Sequence, residues 1–393
     1  MSTEGPLAGV RVLELGTVLS APLATMFLGD QGADIIKIET PGGDQLRQSG
    51  NRRQGVRGLG TMFLNANRNK RSIALDLKDA GDLAIARKIA VQCDIVVQNF
   101  RPGVADRLGM GYEDLRRLRP DIIYISISGL GETGPGSRRR VYDIVVQGIA
   151  GYAGAQAGEP GGDPSTMRTT VVDKTTALFA SQAATAALFA RERTGKGQHI
   201  RISMLDVALS FIWPENMSAA TLIGEDVIDG GNLANVRYCY PTADGHILVG
   251  FVSDDEFAGV CGVLGCPELV ADPRFDTIGK RFANAAQLND LVAQRLSLHP
   301  TAHWLPLLEA ADAVFAPLNW PDRITDDPLI RSAGLLEEHL HPIAGAYRQP
   351  VHPARFSETP ASLQRHAPQL DGSRDEILAE FQITPGQTRS GSG

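Results

Sequence analysis

The sequence predicts an α/β protein, with a large domain on a doubly wound parallel sheet and a smaller α+β domain after it. Two patterns carry this reading. Through the first 130 residues, short runs apolar on both faces alternate with helix patterns, as strands of a parallel sheet must when helices cover both sides. After residue 225 the pattern changes to a hairpin and amphipathic helices. With 393 residues, 43% hydrophobic and 21% charged, the chain is long enough to bury two such cores.

The elements follow in order. GVRVLELG (9–16) is the first strand, APLATMFLGDQG a helix ending at glycine, ADIIKIET the second strand and KRSIALDL the third. DAGDLAIARKIAVQC reads as a helix, DIVVQNF as the fourth strand, YEDLRRLRP as a helix and DIIYISISG as the fifth strand. From Gly129 to Pro164 the chain is rich in Gly and Pro with little periodicity, as a long loop over an active-site face would be. The stretch TTVVDKTTALFASQAATAALFARERTGKGQ (169–198) predicts a helix of about 18 residues and a turn, leading into the strand HIRISML. Ala177, Ala180, Ser181, Ala184 and Ala187 let another backbone come close, so this helix is expected to be buried. YCYPTADGHILVGFVS reads as a hairpin around Asp244-Gly245, with helices near 254–265 and 283–297. TPASLQRHAPQLDGSRDEILAEF suggests one more amphipathic helix, and TRSGSG a disordered tail.

Composition removes several function classes. A net charge of -7 gives no reason to expect a nucleic-acid surface. MSTEGPLAGVRV lacks a basic region followed by an apolar one, and no run approaches about 18 apolar residues, so a soluble cytoplasmic protein without a membrane span is expected. Cys93, Cys239, Cys261 and Cys266 are too scattered for a disulfide framework, and CGVLGC has no second ligand pair, so no metal is expected. GLGETG (129–134) copies the dinucleotide fingerprint, but Pro135, Gly136 and three arginines follow where a helix must open. A loop is expected there, not a nicotinamide or flavin site.

Histidine is absent until His199, and neither H-E-x-x-H nor G-x-S-x-G occurs, so hydrolase chemistry has little to stand on. Carboxylate, amide and guanidinium groups remain. Lys70, Arg71, Lys78, Arg101, Arg107 and Arg138 to Arg140 cluster beside Gly and Pro turns (NRNKRS, NFRPG, GPGSRRR), which favours an anion site. Asp173 precedes the small-residue helix, where it can serve as an N-cap or as a reactive carboxylate.

GPLAGVRVLELGTVLSAPLATMFLGDQGADIIKIETPGGDQLR, NRNKRSIALDLK, QNFRPGVADRLGMGYEDLRRLRPDIIYISISG, YDIVVQGIAG and ALFARERTGKGQHIRISMLD together resemble the family III CoA-transferases of the formyl-CoA transferase type, over residues 5 to 210. The likeness continues more weakly through DPRFDTIGKRFANAAQL and the C-terminal helix. It implies an interlocked homodimer whose subunits each have a Rossmann-like large domain, spanning 1–220 and the C-terminal return 326–393, and a small domain over 225–325. It also implies coenzyme A and acyl-CoA as substrates, with no permanently bound cofactor, and a carboxylic acid as acceptor. Asp173 falls where the family's nucleophilic aspartate belongs: it would attack the thioester, form an anhydride and then an aspartyl-CoA thioester. On this reading Asp173 is a nucleophile held ionised by the helix it begins. The glycine-rich segments at 129–136 and 148–162 would be lids that keep water from these intermediates.

The resemblance carries CoA contacts to Val18, Leu75, Lys78, Asn99, Phe100, Arg107 and Arg140, and an active-site tyrosine to Tyr142. It also has departures. Leu19 stands where the formyl-CoA and oxalate enzymes have a substrate-facing glutamine, Thr40 where they have an arginine, and VSDDEF (252–257) where they have a glycine run. Oxalate is therefore not expected as substrate. Arg47, Arg52, Arg53 and Arg57 instead offer guanidinium groups for the distal carboxylate of a dicarboxylic acid. An α-methylacyl-CoA racemase is the nearest rival, but its relatives' His-Asp pair is Tyr142-Asp143 here, leaving a two-base exchange without an imidazole. A non-catalytic CoA-ester binding protein is the second alternative, and transfer within one dicarboxylic acid is a subcase of the main reading.

Overall fold

Six parallel strands make the central sheet: β1 (Arg11–Glu14), β2 (Asp34–Glu39), β3 (Lys70–Ala74), β4 (Ile95–Gln98), β5 (Ile123–Ser128) and β6 (Gln198–Ser203), in the order β3-β2-β1-β4-β5-β6. The computed structural model describes residues 5–157, 162–227 and 237–384. Two units are distinguished: one of Met1–Tyr152, Thr166–Phe211 and Leu335–Gly393, the other of Ala153–Ser165 and Ile212–Gly334. The sheet lies in the first.

β4 and β5 are buried along their whole length, as strands with a neighbour on each side and helices over both faces must be. β6 closes an edge, with Gln198 and Arg201 exposed, His199, Ile200 and Ile202 half-buried and Ser203 buried. Strand order reverses between β1 and β4, so the loops leaving their carboxyl ends diverge and open a crevice. Asn99 clamps that crevice: its amide donates to the Thr17 carbonyl at 2.8 Å and accepts the Thr17 N–H at 3.0 Å.

Beneath the crevice lies a charged cluster that the apolar reading of β1 did not anticipate. Lys37 Nζ donates to Glu14 at 2.6 Å, Asp44 at 3.0 Å and the Gly16 carbonyl at 2.9 Å, and Lys70 pairs with Glu14 at 2.8 Å. All these lysine and carboxylate side chains are fully buried. Burial alone would raise Glu14, but Lys37 and Lys70 bring it down to about 2. For Lys70, burial outweighs Glu14 and lowers it to about 8. Asp44 also accepts the Val18 N–H at 3.4 Å, so the cluster fixes the loop after β1. Val18 itself sits at φ 67°, a left-handed conformation rare for a β-branched residue.

The Val171–Thr194 helix runs 24 residues, longer than its pattern suggests, and ends at Gly195 in the left-handed conformation. Ala177, Ala180, Ala184 and Ala187 are buried, and the helix packs along the Ser20–Asp30 helix, whose Ala21 and Ala24 are equally small and buried. The expectation of a buried helix holds for that stripe only. Leu178 and Phe189 on the other side are 54% and 64% exposed. The region read as one long loop contains the Asp143–Ile149 helix and a turn at Tyr152–Ala155, both too short for the periodicity to register.

At the C-terminal end, Leu336–His341 and Gly345–Pro350 pair antiparallel, and the helix expected across the tail is confined to Arg374–Glu380. Pro360, Pro368 and Gly372 break the pattern before it. Ile377, Leu378 and Phe381 join the sheet's own core. TRSGSG lies outside the described residues.

In the second unit, Cys239–Pro241 and His246–Gly250 form the hairpin read from the sequence, and Val314–Pro317 adds a third antiparallel strand. Asp244 accepts the Thr301 N–H at 2.7 Å, so the turn also caps the Thr301–Ala310 helix. The Asp254–Val263 helix opens on a capping box between Ser253 and Glu256. Tyr240, Phe257, Phe275 and Trp304 anchor this unit's core.

Candidate active site

Asp173 does not cap its helix. Thr170 holds the N-cap position, and Asp173 is the third helical residue, within the first turn. It is 9% exposed and lines a cavity of about 290 Å³ at the carboxyl ends of β1, β4 and β5. Thr17 and Val18 come from the loop after β1 and Ser20 from the start of the helix that follows it, Asn99 to Pro102 from the loop after β4, and Ser137 with Arg139 to Tyr142 from the loop after β5. This is the switch-point crevice of the sheet.

Two carboxylates meet there. Asp143, first residue of its helix and 2% exposed, accepts the Asp173 N–H through Oδ2 at 3.0 Å. Its Oδ1 accepts from Gln147 Nε2 at 2.5 Å, while Gln147 Oε1 accepts the Met167 N–H at 2.9 Å. Burial and then the Asp143 charge push Asp173 up to about 6, against the lowering effect of the Ser20 hydroxyl and backbone N–H. The expectation was of a carboxylate held ionised by the helix it begins; Asp173 is instead the third residue of that helix, and the groups that favour its ionised form lie elsewhere. Its helpful donors belong to Ser20, the first residue of the Ser20–Asp30 helix. At neutral pH the carboxylate is still mainly ionised, buried and therefore weakly solvated, which suits a nucleophile.

Of the residues carried over, Val18, Asn99, Phe100, Arg140 and Tyr142 line this cavity with Asp173. Tyr142 is 60% exposed at the N-cap of the Asp143–Ile149 helix. Arg101, Arg139 and Arg140 are exposed at the cavity with no carboxylate partner among the described residues, leaving their charge available to an anion. Leu19 is buried at the N-cap of the Ser20–Asp30 helix, outside the cavity lining. Leu75 belongs to the hydrophobic core at 1% exposure. Lys78 and Arg107 do not line the cavity.

Arg47 is a correction. Its guanidinium is 3% exposed, pairs with Glu39 at 2.6 Å and 2.7 Å, donates to the carbonyls of Gly58 and Pro368, and lies over the Phe63 ring at 3.8 Å. Every face of the group is used, so it cannot receive a substrate carboxylate. Arg53 is likewise committed to the carbonyls of Ala344 and Ala346, and Arg52 to Gln48. Arg52, Arg53 and Arg57 line a separate hollow formed by their own loop.

The loop reading of GLGETG holds: no helix opens after it, and Gly129 and Leu130 instead form part of the cavity wall. The second glycine-rich segment, 148–162, lies partly outside the described residues. His199 lines a neighbouring hollow, where Nε2 contacts Ser126 Oγ at 2.8 Å, and among the described residues no histidine lines the Asp173 cavity. Among the described residues, no group of three or more His, Cys, Asp and Glu could hold a metal ion, and no helix is long and apolar enough to cross a membrane. Ser20 was missed from the sequence, and Asp143 was noted only as the second member of the Tyr142-Asp143 pair, with no role at the site. The only available signals were a serine opening a helix just after the first strand, and the Asp of YDIVVQ.

A switch-point cavity with a buried carboxylate and unpaired guanidinium groups defines an α/β enzyme acting on an anionic substrate. The family model for CoA-transferase family III matches residues 7–374, and the chain belongs to that family. It is a CoA-transferase, and its substrates are CoA thioesters. The chain is 35% identical to human succinyl-CoA:glutarate CoA-transferase, covering 97% of this chain and 87% of the relative. It is also 35% identical to acetyl-CoA:oxalate CoA-transferase of Acetobacter aceti, with 96% of each covered. Among solved structures, a CAIB/BAIF family protein from Brucella suis aligns with a TM-score of 0.80 at 30% identity, over 96% of this chain and all of that one. Rv3272 from Mycobacterium tuberculosis aligns with a TM-score of 0.82 at 29% identity, over 96% of this chain and 99% of that one.

Proposed function

We propose that this enzyme moves CoA from an acyl-CoA thioester to a dicarboxylic acid, with Asp173 as the nucleophile. The observation that carries the reading is a buried carboxylate, free of any capping role, facing a cavity rimmed by unpaired arginines. Support for a dicarboxylic acceptor comes from the relatives, which are named for glutarate and oxalate. Unlike Arg47, the rim arginines Arg101 and Arg139 are free to face a distal carboxylate, while Arg140 suits a phosphate of CoA.

The chemistry closes with no redox partner. An Asp173 oxygen attacks the thioester carbonyl, the C–S bond breaks and CoA leaves as thiolate, giving an acyl-aspartyl anhydride. The thiolate attacks the Asp173 carbonyl carbon; a C–S bond forms, and the donor acid departs with the pair of the broken C–O bond. The acceptor carboxylate displaces the thiolate from the aspartyl thioester, forming a second anhydride. The thiolate then attacks the acceptor's acyl carbon, releasing the new acyl-CoA and regenerating the Asp173 carboxylate.

The large unit carries the CoA on this reading, because the cavity and its arginines all belong to it. A homodimer, in the cytoplasm, completes the proposal. The apolar exposed side of the Val171–Thr194 helix, with Leu178, Phe179 and Phe189, gives such a dimer a surface to bury. The test is to supply succinyl-CoA with glutarate and follow both thioesters by mass spectrometry. Formation of glutaryl-CoA and succinate in equal amounts is expected. Release of free CoA alone would show a hydrolase, and deuterium entering the α-position of 2-methylacyl-CoA without exchange would show a racemase.

A further inference from the structure

Ser20 opens the Ser20–Asp30 helix, so its backbone N–H belongs to the set that finds no partner within the helix. The residue is 3% exposed and shares the cavity wall with Asp173. The Ser20–Asp30 helix packs along the helix that carries Asp173, and the Ser20 hydroxyl and N–H favour the ionised form of the Asp173 carboxyl. The loop that brings it there is fixed from below by Asp44 on the Val18 N–H and from the side by Asn99 on Thr17. A donor held this firmly needs no rearrangement when charge develops.

We infer that the Ser20 hydroxyl is a catalytic group of the transfer, donating a hydrogen bond to the Asp173 oxygen whenever the aspartyl carbonyl carbon becomes tetrahedral. The inference rests on the CoA-transfer reading above and adds a residue to it. When the thiolate attacks the anhydride at the aspartyl carbon, the S–C bond forms and the carbonyl pair moves onto the Asp173 oxygen. The pair returns as the C–O bond to the donor acid breaks. When the acceptor carboxylate attacks the aspartyl thioester, the same oxygen takes up charge and returns it as the C–S bond breaks. Ser20 keeps its proton through both steps. The backbone N–H is fixed in direction, whereas a hydroxyl rotates and can follow the oxygen as the carbon changes from planar to tetrahedral.

The test compares wild type, Ser20→Ala and Ser20→Thr with succinyl-CoA and glutarate, with thermal melting to establish that each is folded. Loss of an oxyanion donor predicts about a 100-fold fall in kcat for Ser20→Ala, with KM for the thioester nearly unchanged. The acid limb of kcat/KM should move to higher pH, because a group that keeps Asp173 ionised is gone. Ser20→Thr, which retains a hydroxyl, should recover most of the rate. Wild-type kcat in Ser20→Ala, or equal losses in both variants with an unmoved acid limb, would overturn the inference. A wild-type enzyme that forms no adduct on Asp173 would instead overturn the CoA-transfer reading beneath it.

Discussion

Asp143 accepts the backbone N–H of Asp173 at 3.0 Å, so the group that helps fix the reactive carboxylate also repels its charge. Replacing Asp143 by Asn keeps an acceptor oxygen at that position and removes the negative charge. The acid limb of kcat/KM, set by Asp173 near pH 6 in the wild type, should move to lower pH in Asp143→Asn. A pH–rate profile checks this, and a limb that stays put or rises would show that Asp143 does not set the ionisation of Asp173.

The same shift predicts a conflict between stability and activity. Asp173 goes from an ordinary 3.8 to about 6 in the folded state, so the fold binds its proton more tightly than the unfolded chain does. Stability is therefore undiminished below about pH 4, falls as pH rises from about 4 to about 6, and is lower by about 3 kcal/mol above that, at about 1.36 kcal/mol per unit. Asp173→Asn carries no such cost. The variant should melt several degrees higher than wild type at about pH 7.5, with the gap closing near pH 4, while losing transfer activity. If Asp173→Asn gained no more stability over wild type at neutral pH than at acid pH, the shift would be contradicted.

Arg47 should matter to the fold and not to the substrate. Arg47→Met strands a buried Glu39 carboxylate, and breaking such a pair typically destabilises by about 3–5 kcal/mol. Urea unfolding measures this directly. Kinetics on the folded variant should show KM for glutarate within about twofold of wild type, well below the roughly tenfold change that a lost contact of about 1.4 kcal/mol would give. A selective rise in the KM for dicarboxylic acceptors would restore Arg47 to the acyl pocket.

These contrasts mark what a single sequence makes legible. Strands β1 to β5 could be read because a sheet covered on both faces favours short runs rich in Ile and Val, as in IVVQ and IYISIS. The residues at the carboxyl ends of those strands, Val18, Asn99 and Phe100, were legible through the family resemblance, and the sheet order brings them to one crevice. Arg47 was misread because it sits among arginines in a polar loop; only its partner Glu39, eight residues upstream on β2, reveals that it is buried. That Ser20 and Asp143 bear on Asp173 stayed hidden for a related reason. They stand 153 and 30 positions before Asp173 in the chain and meet it only after the helices pack.

The most direct test of the account is chemical trapping on Asp173. The enzyme is incubated with succinyl-CoA, quenched with hydroxylamine and digested, and the peptide covering residues 169–191 is examined by mass spectrometry. A hydroxamate on Asp173 is expected that appears only with the thioester present and is absent from Asp173→Asn. An unmodified Asp173 during active turnover, or a hydroxamate on another carboxylate such as Asp143, would contradict it.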